Sequence, residues 1–369
     1  MILLTHLIST PRSIDLEVTS RCNLSCRYCY YQNNEDVDYS DLPTSRWLDF
    51  IRELGEAQVM NVSFSGGEAL LREDIFKLID AVVANRMRFE LLSNGSTVTG
   101  EVARRLFATG RCDLVQISLD GSRAEIHEMM RGPGSFAPAL EAIRTLQSAG
   151  LPVSVRVTVH AGNIKDLANI AALLLEDLGL PSFSTNSVSS LGSPAKYDEL
   201  LMSAGEYLRA MQTLASLSEH YPERIQASAG PLADWHMFND LRAARKSGEP
   251  VSNRGRLVGC GCIFSRIAVR ADGSYIPCVM LPQMVLGQIG TDSLREVWTD
   301  STELNLLRGR VNTSLRSFAD CADCDYVESC TGNCAGTALS LLGDANRPSP
   351  DGCLRDFERR LANEGLVLP

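Results

Sequence analysis

The stretch SIDLEVTSR, residues 13–21, runs straight into Cys22-Asn23-Leu24-Ser25-Cys26-Arg27-Tyr28-Cys29, so a strand-like apolar segment delivers three thiols and an aromatic ring within eight residues. Thiolates are the usual protein ligands of iron–sulfur clusters, and four normally close a [4Fe-4S] site, so three leave one iron open. The chain holds 12 cysteines. Shuffling them would give the C-x3-C-x2-C spacing in roughly one chain per hundred, so accident explains it poorly. The competing reading is a structural zinc knot closed by a distant fourth cysteine, since zinc also takes tetrahedral thiolate sites.

Working outward, SIDLEVT is the first of six short apolar runs, followed by VMNVSFS, RFELLSN, LVQISLD, VSVRVTV and SFSTNSV, with amphipathic stretches between them. That alternation predicts successive βα units around a parallel sheet. Helices are expected over Thr44 to Leu54, Glu73 to Ala84, Gly100 to Ala108, Phe136 to Ser148 and Ile164 to Leu178, each long enough to cross back over the sheet. The fold class is therefore α/β, a partial (β/α)6 TIM-like barrel, because nothing after residue 190 supplies the two further units of a closed barrel. Its active face is the C-terminal end of the strands, where the cysteine loop lies.

Three segments follow: 1–190 as the barrel, 191–255 as a helical bridge and 256–369 as a small cysteine-rich domain. In the bridge, Leu200, Leu201, Leu208, Met211 and Leu214 recur at roughly helical spacing, and KSGEP marks its exit. Eight of the cysteines fall between Cys260 and Cys353 in a turn-rich region, where metal can substitute for a thin apolar core.

With 44% apolar residues in 369, the chain can bury a substantial core. It has no apolar run long enough to span a bilayer, which argues against a membrane role. Its start, MILLTHLIST, lacks the features of a signal peptide. A formal charge of −10 without a basic run argues against nucleic acid as a partner. So many cysteines without an export signal are better read as metal ligands than as disulfides, which places the protein in a reducing cytoplasm.

The strand ends carry polar groups: Ser65-Gly66-Gly67-Glu68, Ser93-Asn94-Gly95 and Ser118-Leu119-Asp120-Gly121. Paired glycines let backbone approach a neighbour closely, while Ser, Asn and Asp in such places also cap ordinary turns. Arg131 lies in MMRGPGSF, and Arg156 inside VSVRVTV would be costly to bury without a carboxylate partner. His127 is expected on a helix surface, and Cys112 as a small buried hydrophobe.

The cysteine loop, with Tyr28 just before its third cysteine, resembles that of the radical S-adenosylmethionine superfamily, and the resemblance covers roughly residues 13–187. It implies an open [4Fe-4S] cluster on Cys22, Cys26 and Cys29 that binds S-adenosylmethionine and cleaves it to a 5′-deoxyadenosyl radical. By the same resemblance Tyr28, Gly66, Gly67, Glu68, Asn94, Ser118 and Arg131 are cofactor-binding candidates. Arg131 is the first choice for the methionine carboxylate and Arg156 the second.

The C-terminal pattern Cys260-x-Cys262, Gly273-x4-Cys278, Cys321-x2-Cys324-x5-Cys330-x3-Cys334 and Cys353 resembles a SPASM domain. That resemblance implies one auxiliary [4Fe-4S] cluster on Cys260, Cys262, Cys278 and Cys334 and a second on Cys321, Cys324, Cys330 and Cys353, three clusters in all. Ligation by both Cys260 and Cys262 is the less secure part, because their spacing is tight. Sulfatase-maturing members carry an Asp where this chain has Val279, which demotes formylglycine formation; Asp272 and Tyr275 are the remaining candidate bases.

Closed auxiliary clusters suit a net oxidation, so cross-linking or dehydrogenation of a ribosomally made precursor peptide is expected ahead of epimerisation. The segments TPRSIDLEVTSRCNLSCRYCYY, SDLPTSRWLDF and ANRMRFELLSNG are similar to SynChlorMet-cassette maturases. Implied partners are the precursor peptide, a separate leader-binding protein and an electron donor such as flavodoxin or ferredoxin. The contrasting class is a non-catalytic, metal-held scaffold or electron carrier.

Overall fold

The structure is a computed structural model that describes residues 8–29, 40–188, 201–249, 251–258 and 261–369. Six parallel strands form where the apolar runs predicted them: β1 Ser13–Glu17, β2 Asn61–Ser65, β3 Arg88–Ser93, β4 Cys112–Ser118, β5 Val153–Val159 and β6 Phe183–Ser187. They lie in sequence order, as right-handed βα crossovers require.

The helices between them are α1 Thr44–Glu56, α2 Ile75–Ala84, α3 Gly100–Ala108, α4 Ala124–Arg131, α5 Phe136–Ser148 and α6 Leu167–Ala172. Trp47, Phe50, Ile51 and Leu54 of α1 and Leu78, Ile79 and Val82 of α2 pack on the apolar strand face with Ile14, Leu16, Val62 and Phe64. The expected helix from Ile164 to Leu178 is broken instead into a 3-10 turn, α6 and a π-helical turn at Leu173–Asp177. Helix α4 was not anticipated, and it carries the correction at His127, which is 1% exposed rather than on the surface.

The sheet extends past six strands at both edges. The segment read as a helical bridge supplies α7 Ala204–His220 and α8 Pro231–Ser247, and also β7 Ile225–Ala227, which pairs in parallel with β6. From the cysteine-rich segment, β8 Arg266–Val269 pairs in parallel with β1, and β9 Ser274–Ile276 and β10 Gly287–Gln288 continue antiparallel. The result is one ten-stranded sheet in the order β10-β9-β8-β1-β2-β3-β4-β5-β6-β7.

The remaining C-terminal residues form α9 Leu294–Asp300, α10 Thr302–Gly309, α11 Ala319–Ala322, α12 Ala335–Leu342 and α13 Leu354–Asn363. Their apolar groups are small, such as Leu257, Leu315 and Val327 packed with Cys321, Cys324 and Cys330. So thin a core is of the kind that metal ligation completes. Among the described residues no helix is long and apolar enough to cross a membrane.

Candidate active site at the mouth of the barrel

The cysteine loop leaves β1 at its C-terminal end and is braced from three sides. Asp41 accepts from Thr19 Oγ1 at 2.6 Å, Ser20 N–H at 2.6 Å and Ser20 Oγ at 2.9 Å. From the β2 exit, Gly67 N–H donates to the Thr19 carbonyl and Glu68 N–H to the Arg21 carbonyl, both at 2.8 Å. From the end of α4, the Met130 carbonyl accepts from Arg27 N–H at 2.9 Å.

The paired glycines are explained by that contact. Gly66 has φ +130°, and a Cβ on Gly67 would sit 2.3 Å from the Arg21 carbonyl oxygen and 2.6 Å from its carbon. No backbone contact is tolerated at that distance, so the loop itself would have to move. Gly67→Ala is therefore expected to leave the barrel folded but to cost the protein iron at the three-cysteine site, read as loss of about four irons per chain after anaerobic reconstitution. Unchanged iron content would show that the loop has room to give.

Glu68 is 1% exposed, and its carboxylate is fully engaged, accepting from Ser93 Oγ at 2.9 Å and Asn94 N–H at 2.8 Å. It ties the glycine turn to the β3 exit rather than facing outward. Asn94 in turn points its amide to Cys22 Sγ at 3.9 Å and to Asn23 Oδ1 at 3.1 Å. A donor beside a sulfur favours the thiolate over the thiol.

Tyr28 and Arg131 converge on a group whose weight the motif reading missed. Asp120, fully buried at the exit of β4, accepts from the Tyr28 hydroxyl, from Arg131 Nε at 2.5 Å and from Thr158 N–H at 2.8 Å. Its backbone N–H donates to His127 Nδ1 at 3.1 Å, and its carbonyl accepts from Asn163 Nδ2 at 2.9 Å. Burial works to raise its carboxyl, but the Arg131 charge, His127 and these bonds outweigh it and hold the group below the usual carboxylate range. Asp120 stays charged as the hub joining the cysteine loop, α4 and β5.

Burial drops both His127 and His160 to about 4, so both imidazoles are neutral. His160, at the end of β5, lies 6.5 Å from the Tyr28 ring centroid and has a buried Nε2 without a hydrogen-bond partner among the described residues.

This geometry changes the standing of the arginines. The Arg131 Nε is taken by Asp120, and its guanidinium lies 5.4 Å from the Tyr28 ring centroid. Arg156 is the register partner of Ser118, which puts the two on one face of the sheet. Its amino group donates to Gln116 Oε1 at 3.2 Å, and its buried Nε has no partner among the described residues. The expected carboxylate neighbour is Glu90, close enough to act on its charge but not hydrogen-bonded to it.

The structure holds both base candidates in pairing or packing contacts. Asp272 is paired with Arg270 and accepts from Ser274 N–H at 3.0 Å, which makes it a turn brace. Tyr275 is fully buried, its ring edge-on to Phe50 at 5.5 Å, and burial holds its phenol far above the ordinary value.

The thiols gather in sets. Burial pushes the Cys22 thiol up and Cys26 up to about 11, with the neighbouring Cys29 adding to both and Arg131 pulling Cys26 the other way. Cys321, Cys324, Cys330 and Cys353 are neighbours, with Cys321 pushed up by burial to about 11. Cys278, Ala335 beside Cys334, and Ile263 beside Cys262 all pack against one small core of Leu281, Leu307 and Ala345. Gly336 permits this, since a Cβ there would lie 2.7 Å from the Met280 carbonyl oxygen.

Cys260 lies outside the described residues, as does the side chain of Cys262. Among the described residues no three Cys, His, Asp or Glu side chains close on a single-ion site. Cys112 is buried at the start of β4, as expected, and burial raises its thiol to about 12.

Comparison with known proteins agrees with this chemistry. Residues 16–174 match the Radical SAM superfamily, and residues 260–325 match SPASM, an iron-sulfur cluster-binding domain. The AdoMet-dependent heme synthase of Methanosarcina barkeri is 28% identical over 353 residues, covering 93% of this chain and 96% of that protein. Mycofactocin maturase MftC of Mycobacterium tuberculosis is 28% identical over 368 residues, covering 97% and 86%. The structure of Streptococcus suis SuiB bound to S-adenosylmethionine shares the fold, with a TM-score of 0.71 at 15% identity over 94% of this chain and 78% of that one.

Proposed function

The chain is a radical S-adenosylmethionine enzyme with a C-terminal SPASM iron–sulfur domain, and from that premise we propose that it oxidatively modifies a ribosomally made peptide in a reducing cytoplasm. What supports the reading is a three-thiol loop at the barrel mouth together with four neighbouring thiols, Cys321, Cys324, Cys330 and Cys353, in the appended domain. Similarity to a mycofactocin maturase along nearly the whole chain supports a peptide as substrate. When bound, the open cluster and S-adenosylmethionine supply a 5′-deoxyadenosyl radical able to take a hydrogen atom from an unactivated carbon.

The chain's own residues do the rest. Cys22, Cys26 and Cys29 would hold the open cluster, and the two auxiliary sets the other two. Gly66, Gly67 and Glu68 fix the loop, Asn94 tunes Cys22, and Tyr28, Asp120 and Arg131 lock the loop to α4. Ser118 and Arg156 face the lumen as the pair for the methionine carboxylate.

Two substitutions test that last assignment. Arg156→Gln is expected to weaken S-adenosylmethionine binding roughly tenfold or more, measured on the reconstituted protein by equilibrium dialysis, the size expected for losing a charged hydrogen bond. Arg131→Gln is expected to show up first as lower thermal stability. The reverse pattern would restore Arg131 as the carboxylate ligand.

The function itself is tested by incubating the reconstituted enzyme, S-adenosylmethionine and a flavodoxin or ferredoxin donor with the peptide encoded beside it. Loss of two hydrogens from the peptide is the expected mass change; an unchanged mass with deuterium incorporated from solvent would mean epimerisation. A separate leader-binding protein would appear as a requirement for full-rate turnover. The equally similar heme synthase makes a tetrapyrrole substrate the second reading, and an iron porphyrin in the same assay decides it.

A further inference from the structure

Strand β1 alternates: Ile14, Leu16 and Val18 are fully buried against the helices, and Ser13, Asp15 and Glu17 share the opposite face, toward the barrel lumen. Glu17 stands opposite Ser65 of β2. On the other side Leu16 pairs with Val269, so the next residues, Glu17 and Arg270, come alongside. One residue step above this layer lie the glycine turn and the cysteine loop; across the sheet is the Ser118–Arg156 pair.

The charged groups flanking Glu17 on β1 and β8 are already partnered, and among the described residues Glu17 is not. Asp15 is bound by Arg266 at 3.0 Å, and Arg270 pairs with Asp272 while donating to the Pro282 carbonyl at 2.9 Å. Glu17 is 2% exposed, and no described residue hydrogen-bonds its carboxyl group. A buried carboxyl with neither bond nor ion pair is costly, and a glutamine or leucine would be cheaper there. Burial first, with Asp15 and Asp272 adding and Arg270 opposing, lifts it to about 8. An acid poised near working pH at the active end of a barrel fits proton transfer.

We propose that Glu17 is the proton acceptor of the lumen, taking the proton that the substrate loses in the oxidative step. The proposal rests on the peptide-oxidation reading and deepens it. The bookkeeping is that of a two-hydrogen loss. One hydrogen atom leaves a carbon for the 5′-deoxyadenosyl radical. The second leaves as a proton and an electron: an N–H, O–H or S–H bond breaks or the carbon next to the radical gives up its hydrogen, the new bond forms, the proton goes to the Glu17 carboxylate and the electron to an iron–sulfur centre. The acceptor must be ionised, so product formation in the wild type is expected to rise with pH up to about 8 and then level.

Glu17→Gln, reconstituted to wild-type iron content, is expected to release 5′-deoxyadenosine at near the wild-type rate while peptide product falls at least a hundredfold, and its residual rate should lose the limb ending near pH 8. Glu17→Asp should restore part of the product. A readout independent of turnover is infrared difference titration of wild type against Glu17→Gln, in which a protonated carboxyl band should disappear as pH passes about 8 in the wild type only. Product formation by Glu17→Gln at the wild-type rate with an unchanged pH profile would overturn the proposal, as would absence of that titrating band. If the wild type itself removes no hydrogens from the peptide, the peptide reading fails, and the infrared titration still judges Glu17.

Discussion

Replacing Cys22, Cys26 and Cys29 together by alanine is expected to abolish 5′-deoxyadenosine release while lowering iron from about twelve to about eight per chain. The argument separates the loop's chemistry from its scaffolding. The bonds that brace it, from Asp41 to Thr19 and Ser20, from Gly67 and Glu68 to the carbonyls of Thr19 and Arg21, and from Arg27 to Met130, use no sulfur. Barrel and auxiliary sites should therefore remain, and the remaining iron should reside on the C-terminal thiols. Anaerobic iron and sulfide analysis with chromatography of the nucleoside measures both halves. Persistent release would mean that the radical is generated elsewhere, and a collapse to no iron would mean that the clusters depend on one another for assembly.

Asp120→Ala is expected to be the most destabilising single change at the mouth, at about 3–5 kcal/mol, because it strands the buried Arg131 guanidinium without a counter-charge. It also strips the Tyr28 hydroxyl and Thr158 N–H of their acceptor. Chemical denaturation of the barrel transition, followed by far-ultraviolet circular dichroism, reads the loss. The double variant Asp120→Asn with Arg131→Met should recover much of it, since removing both charges leaves none buried and unpaired. If the single change costs less than about 1 kcal/mol, the figure for an exposed pair, the cluster is wetter than its burial indicates.

Much of this was legible along the chain. The six barrel strands and the helices Gly100–Ala108 and Phe136–Ser148 fall where the apolar periodicity put them. The three-cysteine loop was readable too, because its thiols lie within eight residues, whereas the division of the C-terminal cysteines into two sets came from the resemblance alone. His127 and α4 were not. A polar-looking octamer becomes a buried cap only because it folds across the mouth onto Tyr28 and Asp120.

Strand alternation thus determined, from sequence alone, the barrel and the face on which the cysteine loop lies, and the cysteine motifs pointed to the chemistry class through their resemblance to a known superfamily. The tertiary structure decided which side chains are free to act there. It joined β8 to β1 across some 250 residues, Ser13 to Arg266. It spent Arg131 on Asp120 and Asp272 on Arg270, buried Tyr275, and, among the described residues, left Arg156 Nε and the Glu17 carboxyl without hydrogen bonds. The physical reason is range: a ligand loop or an alternating strand repeats within a few residues, whereas the partner that neutralises a buried charge can come from anywhere in the chain.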